Sequence, residues 1–141
     1  MKNLLLLVTL LTTIQLIHAQ EIRTIVPEGP NDQKEKIANR PFTYVQQMPV
    51  AGYDLDAFLS NNIHYPDSAR FKNISGRVIM QFVVNEDGSI SDINVLRGIG
   101  GGCDEEAARV IRLMPPWKPG KQEGKPVRVL FTKPITFTLT D

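Results

Sequence analysis

The chain offers few side chains for covalent or metal chemistry. Cys103 is the only cysteine, and of the two histidines His18 lies in an apolar N-terminal run, which leaves His64. A thiol becomes a nucleophile when a base such as histidine lies beside it, but no catalytic signature surrounds either residue. One thiol and one imidazole are also too few ligands for a zinc site. A lone cysteine is more often a small buried apolar residue, so we expect no catalytic residue and no metal site.

A glycine-rich corner ahead of acidic residues is the second feature that suggests chemistry. Residues 98–102 read GIGGG and precede Asp104, Glu105 and Glu106. Glycine loops that open helices bind phosphate through backbone N–H groups. Here a dinucleotide fingerprint would need glycine where Cys103 stands, and the carboxylates at the helix start would repel an anion. We therefore expect a loop that needs left-handed backbone, and no cofactor.

Helices are predicted from capping residues and apolar spacing. Asp54 is a good N-cap for a helix through about residue 62, and Pro66 fits the first position of a short helix over 66–72. The acidic residues at 104–106 open a third helix. Its apolar positions recur with helical spacing at Ala107, Val110, Ile111 and Met114.

Two alternating apolar runs predict a β-hairpin. Residues 77–85 read RVIMQFVVN, with apolar residues on both faces, which is typical of a central strand. Asp87-Gly88, in the loop over 85–89, is a turn signal. The return strand, 90–97, is more polar and is expected to carry Ile93 and Val95 inward.

The last apolar run, residues 127–139, predicts a strand with one buried face. Apolar residues occupy alternate positions from Val127 to Leu139, and only Lys133 interrupts them. Pro134 has no N–H to give to a ladder, so its strand belongs at a sheet edge or a bulge. An edge strand with unpaired backbone groups is a template for pairing with another chain.

The strand directions predict an α+β fold. If the last strand lies antiparallel to the first, the sheet has three antiparallel strands in the order second–first–last, with helices packed on one face. This order places the most apolar strand in the middle and Pro134 at an edge.

The ends of the chain and its charge limit the partners. Residues 1–19 have the positive start, apolar run and small final residue of a signal peptide, with an uncleaved anchor as the alternative. Residues 20–47 are expected to be a flexible lead-in, and residues 48–141 the folded domain. Removing residues 1–19 removes Lys2 and leaves 15 basic and 15 acidic residues. This balance argues against nucleic acid or an anionic membrane surface as the partner.

An ordered set of motifs resembles the TonB C-terminal domain family. The motifs lie within residues 48–139 and read YPDSA at 65–69, GRV at 76–78, FVVNEDG at 82–88, DEEA at 104–107, PWKPG at 116–120, and KPVRV at 125–129 with PITF at 134–137. The resemblance implies a small α/β domain with an antiparallel sheet. It also implies a non-enzymatic periplasmic domain that binds TonB-dependent outer-membrane receptors in nutrient or siderophore transport.

The resemblance also implies where a partner binds. A receptor segment would add a strand beside the last strand of the domain, where main-chain hydrogen bonds give affinity. The implied contact residues are Val127, Arg128, Val129, Leu130, Phe131 and Thr132, with His64, Tyr65 and Pro66 close by. Inner-membrane motor proteins would be partners only of an uncleaved, anchored chain. A free periplasmic adaptor, or a homodimer that pairs its own open edges, is the alternative.

The parity of the last strand makes the docking prediction more specific. Alternate residues of an antiparallel edge strand point both backbone polar groups outward. If Pro134 faces outward, so do Arg128, Leu130 and Thr132. We therefore predict an open docking ladder over these three residues that ends at Pro134.

Overall fold

A computed structural model describes residues 39–139 of the chain. The signal peptide expected over residues 1–19 and most of the expected lead-in lie outside this range. The helices are α1 (Leu55–Asn62), α2 (Asp67–Phe71) and α3 (Cys103–Arg112), and the strands are β1 (Gly76–Val84), β2 (Ile90–Arg97), β3 (Gly120–Gln122), β4 (Lys125–Val127) and β5 (Val129–Phe137). None of the helices in this range is long and apolar enough to cross a membrane.

The first and third helices begin at their predicted signals, whereas α2 begins at Asp67, one residue after the predicted Pro66, which is its N-cap. The Asp54 carboxylate accepts a hydrogen bond from the Ala57 N–H at 2.9 Å and caps α1. The Asp104 carboxylate, in the first turn of α3, accepts a hydrogen bond from the Ile99 N–H at 2.9 Å and so holds the preceding loop. Gly100, Gly101 and Gly102 all have positive φ. The corner therefore needs glycine for its backbone conformation, as the sequence predicts.

The sheet has the predicted topology. Its three strands lie in the order β2–β1–β5, and both pairings are antiparallel. The β1–β5 ladder runs without a bulge from the pair Gly76–Phe137 to the pair Val84–Val129. The predicted α+β fold class and strand order are therefore confirmed.

The core lies between one face of the sheet and the helices. Val78, Met80, Phe82 and Val84 of β1 are fully buried. They belong to one cluster with Ala107, Val110 and Ile111 of α3, Leu59 of α1 and the buried Cys103. Full burial of an aliphatic or Phe side chain stabilises the fold by about 1.5–3 kcal/mol. The predicted stripe of α3 is thus the contact that holds the helix to β1.

Trp117 closes the core at the start of β5. Its ring lies 5.0 Å from that of Phe131 and 5.6 Å from that of Phe82, both edge to face. Gly88 approaches the same residue so closely that a Cβ there would lie 2.0 Å from the Trp117 carbonyl oxygen. The β1–β2 turn and the Trp117 segment therefore pack against each other through glycine.

Two local predictions are wrong. Val127 belongs to a separate hairpin, β3–β4, whose loop residues Glu123 and Gly124 both have positive φ, as a tight two-residue turn requires. Val95 is 41% exposed, although we expected it to point inward. The β1–β2 register shifts twice, and Asp92 has a φ of 50°, so bulges displace β2 from simple alternation.

Residues 39–47 lie against the domain, whereas the sequence predicts a flexible lead-in up to residue 47. Phe42 forms a parallel bridge with Val129, and Gln47 forms an antiparallel bridge with Lys121. Val45 is only 2% exposed. This stretch lacks periodicity, and its order comes from contacts with residues far away in sequence.

Candidate functional site

The outer edge of β5 already holds one pairing from outside the sheet. The Leu130 N–H donates to the Phe42 carbonyl at 2.7 Å, and the Phe42 N–H donates to the Arg128 carbonyl at 2.8 Å. Arg128 and Leu130 therefore point these backbone groups away from β1. The parity inferred from Pro134 is confirmed at both residues.

The edge is consequently not open along its whole predicted length, because Phe42 occupies it at Arg128 and Leu130. Past the Phe42 contact, every second residue of β5 again points its backbone polar groups away from β1. These groups are the Leu130 carbonyl, the N–H and carbonyl of Thr132 and of Thr136, and the Pro134 carbonyl. Among residues 39–139, no strand pairs with these groups, since β1 is the only sheet neighbour of β5. The available ladder is centred on Thr132.

Arg128 serves as an anchor for the chain's own N-terminal segment. Its guanidinium donates to the Asn39 carbonyl at 2.8 Å, to the Asn39 side chain at 2.9 Å and to Asn85 Oδ1 at 3.1 Å. It also pairs with the Asp92 carboxylate at 3.0 Å. The side chain thus joins residue 39 to the β1–β2 hairpin, and this network explains why residues 39–42 reach the β5 edge.

The other predicted contact residues differ in what they can offer a partner. Val127 pairs with Gly120 in the β3–β4 hairpin, and Val129 is fully buried. Phe131 is partly buried beneath Trp117, and Leu130 is partly buried on the opposite face of the sheet. Thr132 is exposed. Of the six, Thr132 combines an exposed side chain with outward backbone groups that no residue in the described range 39–139 pairs with.

His64, Tyr65 and Pro66 lie at the other end of β5. The Tyr65 ring packs edge to face on Phe137 with centroids 5.9 Å apart, and its hydroxyl donates to the Ile74 carbonyl. Phe137 follows Phe131 by six strand residues, or about 20 Å. The structure therefore does not bring the two predicted groups together, and each borders a different part of the edge.

A partly buried ion pair between Glu106 and Arg109 fixes the His64 loop. The Glu106 carboxylate accepts hydrogen bonds from the His64 N–H at 2.7 Å and from Arg109 at 2.6 and 2.7 Å. Arg109 also donates to the Asn62 carbonyl at 2.7 Å. These bonds tie α3 to the end of α1. In the sequence Glu106 is visible only as a first-turn acidic residue, because its partners become neighbours only in the fold.

Protonation of Glu106 should lower the free energy of unfolding of the domain at acidic pH. The hydrogen bond from Arg109 holds the pKa of Glu106 below its ordinary value of 4.5. Because the pKa of this carboxyl is lower in the folded than in the unfolded protein, its ionisation stabilises the fold fully at any pH above the unfolded-state pKa. As the pH falls through the folded-state pKa, the carboxylate is protonated and this stabilisation is lost. We expect Glu106→Gln to cost about 1 kcal/mol at pH 7 and to flatten the decline in stability below pH 4.5.

Urea unfolding of both proteins between pH 3 and pH 7 measures this effect. Glu105→Gln is the matched control because Glu105 is an exposed neighbour on the same helix. An equal acid dependence in wild type and Glu106→Gln would contradict the assignment.

Two grooves lie on the helix side of the β5 edge. The α1 groove, of about 460 Å³, lies between α1 and the second half of β5, with Leu59, Ile63, Tyr65, Ile135 and Phe137 in its walls. The Trp117 groove, of about 570 Å³, is bordered by Val50, Tyr53, Leu55, Trp117 and Phe131. Lys133 of β5 pairs with Asp56 of α1 at 3.1 Å. The sequence did not predict either groove, since both arise from the packing of α1 and its lead-in beside β5.

The cysteine that the sequence offers as a possible nucleophile lies in the core. Cys103 is fully buried, and burial raises the pKa of its thiol, with further contributions from Asp104 and Glu105. A thiol with a raised pKa stays protonated at neutral pH and is a poor nucleophile. Within residues 39–139, no three His, Cys, Asp or Glu side chains come together in a group able to hold a metal ion.

Comparison with known families identifies the fold. The sequence profile described as Gram-negative bacterial TonB protein C-terminal matches residues 61–139, more than half of the chain. The chain belongs to this family. The predicted resemblance is therefore confirmed, and the TonB C-terminal domain is a protein-interaction domain of TonB-dependent transport.

Solved structures include similar domains. A solution structure of the Helicobacter pylori TonB C-terminal domain is 26% identical, with a TM-score of 0.48, over 62% of this chain and 91% of that one. A second solution structure of the same Helicobacter pylori domain is 25% identical, with a TM-score of 0.46, over 61% of this chain and 78% of that one. No curated protein sequence matches the chain significantly.

Proposed function

We propose that this TonB C-terminal domain binds a segment of a TonB-dependent outer-membrane receptor by strand addition at the outer edge of β5, in the uptake of nutrients such as siderophores. The observation that carries the proposal is the Phe42 pairing, in which an extended segment from outside the sheet bonds to Arg128 and Leu130. An edge that accepts one such residue has the geometry to accept a strand.

The central docking residue in this proposal is Thr132. It points both backbone groups outward by parity, and it lies between the Phe42 contact and Pro134. Pro134 gives an incoming strand a carbonyl but no N–H, so the ladder weakens there. A partner that pairs over the full predicted range, Val127–Thr132, has to displace Phe42. A partner that pairs from the Leu130 carbonyl onward does not.

We place the domain in the periplasm, where TonB C-terminal domains act. Export by the signal peptide over residues 1–19 would yield a periplasmic adaptor that binds receptors without pulling on them. An uncleaved N-terminus would instead anchor the domain to the inner membrane beside the motor proteins. Mass spectrometry of the exported protein distinguishes these forms through cleavage between Ala19 and Gln20.

A homodimer is the second candidate, and the exposed edge strand β2 favours it. Val95 and Leu96 of β2 are 41% and 55% exposed. Two copies could pair through these edges and bury both side chains. Sedimentation of the protein over a range of concentrations tests this, since a tight dimer at every concentration would favour self-pairing over receptor binding.

Amide hydrogen exchange tests receptor binding directly. Because Thr132 and Thr136 have outward N–H groups, we expect a synthetic receptor segment to slow their exchange by about tenfold or more at saturation. Lys133 and Ile135 have N–H groups directed toward β1 and serve as internal controls. Protection that appears elsewhere and leaves Thr132 unchanged would refute strand addition at β5.

A further inference from the structure

The two grooves beside β5 lie where alternate side chains of an added strand would project. This inference rests on the proposed strand addition. Phe131, Lys133 and Ile135 are opposite Phe82, Met80 and Val78 of β1, whose side chains are buried under the helices. Their side chains therefore lie on the helix side of the sheet. Partner residues facing these three positions would lie on that side too, each two residues from the next.

The chemistry changes along these three positions. Phe131 borders the apolar Trp117 groove, and Ile135 borders the α1 groove, where Leu59 and Ile63 add apolar surface. Lys133 lies between them along the strand and is the residue that interrupts the apolar row of the sequence. A partner strand thus meets an apolar groove, a cation and then a groove of mixed lining, in which Ser60, Arg77 and Thr136 stand beside apolar side chains.

Lys133 retains capacity for another anion. Its ammonium carries three donors, and within residues 39–139 one of them bonds to Asp56 at 3.1 Å. The Asp56 side chain is 87% exposed, so its charge is strongly screened by water, whereas that of Lys133 is 24% exposed. An acidic side chain directly across from Lys133 would approach at the spacing of a cross-strand pair.

We propose that the β5 edge selects a partner segment with the pattern apolar–x–acidic–x–apolar. The first apolar side chain enters one groove, the acidic side chain pairs with Lys133, and the second apolar side chain enters the other groove. Lys133 and the two grooves then determine specificity, while the backbone ladder centred on Thr132 supplies sequence-independent affinity. The pattern is the same for a parallel and an antiparallel partner, because side chains alternate in both.

Two capped synthetic peptides, TLTETLT and TLTKTLT, test the pattern. Their Leu residues face the grooves, their Thr residues favour extended backbone, and the central residue faces Lys133. We expect the Glu peptide to bind the wild-type protein about fivefold more tightly than the Lys peptide, measured by calorimetry with amide-shift mapping to β5. Lys133→Met should abolish this preference. Asp56→Asn, which removes the competing carboxylate, should increase it.

The outcomes separate the two proposals. Equal affinities of both peptides at β5, unchanged in Lys133→Met and Asp56→Asn, would overturn the selectivity pattern and leave strand addition intact. Binding of neither peptide at β5 would overturn strand addition and the pattern together. Circular dichroism of both variants verifies that they remain folded, since each changes one partner of a surface ion pair that contributes little stability.

Discussion

Thr132→Pro should reduce binding of a receptor segment about fiftyfold or more while leaving the domain folded. Proline removes the outward N–H at the centre of the proposed ladder and leaves a carbonyl of the partner unsatisfied. Its ring also projects into the space of the incoming strand. The fold should tolerate the change, because the Thr132 N–H makes no bond to β1 and Pro134 already occupies the same edge two residues on.

The matched control for this prediction is Thr132→Val. Valine retains the N–H and has a high strand propensity, so binding should stay within about twofold of wild type. Calorimetry with one receptor segment measures both variants, and urea unfolding tests whether Thr132→Pro changes stability by less than about 1 kcal/mol. Wild-type affinity in a folded Thr132→Pro protein would exclude β5 as the docking strand.

The sheet was predictable from the sequence because its main strands are long and regular. The alternation in Gly76–Val84 and Val129–Phe137 determines which face is buried, and Pro134 determines which side of β5 faces outward. Both signals lie within single segments. The order β2–β1–β5 follows from them, since an apolar strand takes the centre and a proline-containing strand takes the edge.

The features that the sequence did not predict depend on a few contacts between residues far apart in the chain. One bridge joins Phe42 to Val129, and the surrounding sequence has no period that could reveal it. The β3–β4 hairpin has three-residue strands, too short for alternation to be recognised, although Glu123-Gly124 is a turn signal. The grooves depend on where α1 packs beside β5. Local patterns therefore predicted strand β5 but not the Phe42 contact that covers its first residues.

The Phe42 contact makes the chain's own segment a competitor for the proposed docking edge. A receptor segment that pairs as far as Arg128 binds only to molecules in which Phe42 has left the edge. Its apparent Kd therefore equals the intrinsic Kd divided by the fraction of molecules with a free edge. Phe42→Pro removes the N–H that donates to the Arg128 carbonyl. We expect it to increase the affinity of such a segment by about tenfold, which corresponds to an edge that is free in roughly one molecule in ten.

Phe42→Ala distinguishes the backbone contact from the side chain, because alanine keeps the N–H and the carbonyl that pair with Arg128 and Leu130. Its affinity for the same segment should therefore rise much less than that of Phe42→Pro. A shorter segment that pairs only from Thr132 onward should bind wild type and both variants equally, since Phe42 does not cover that part of the edge. If Phe42→Pro leaves the affinity of the longer segment unchanged, Phe42 does not compete for the edge, and receptors dock beyond Leu130.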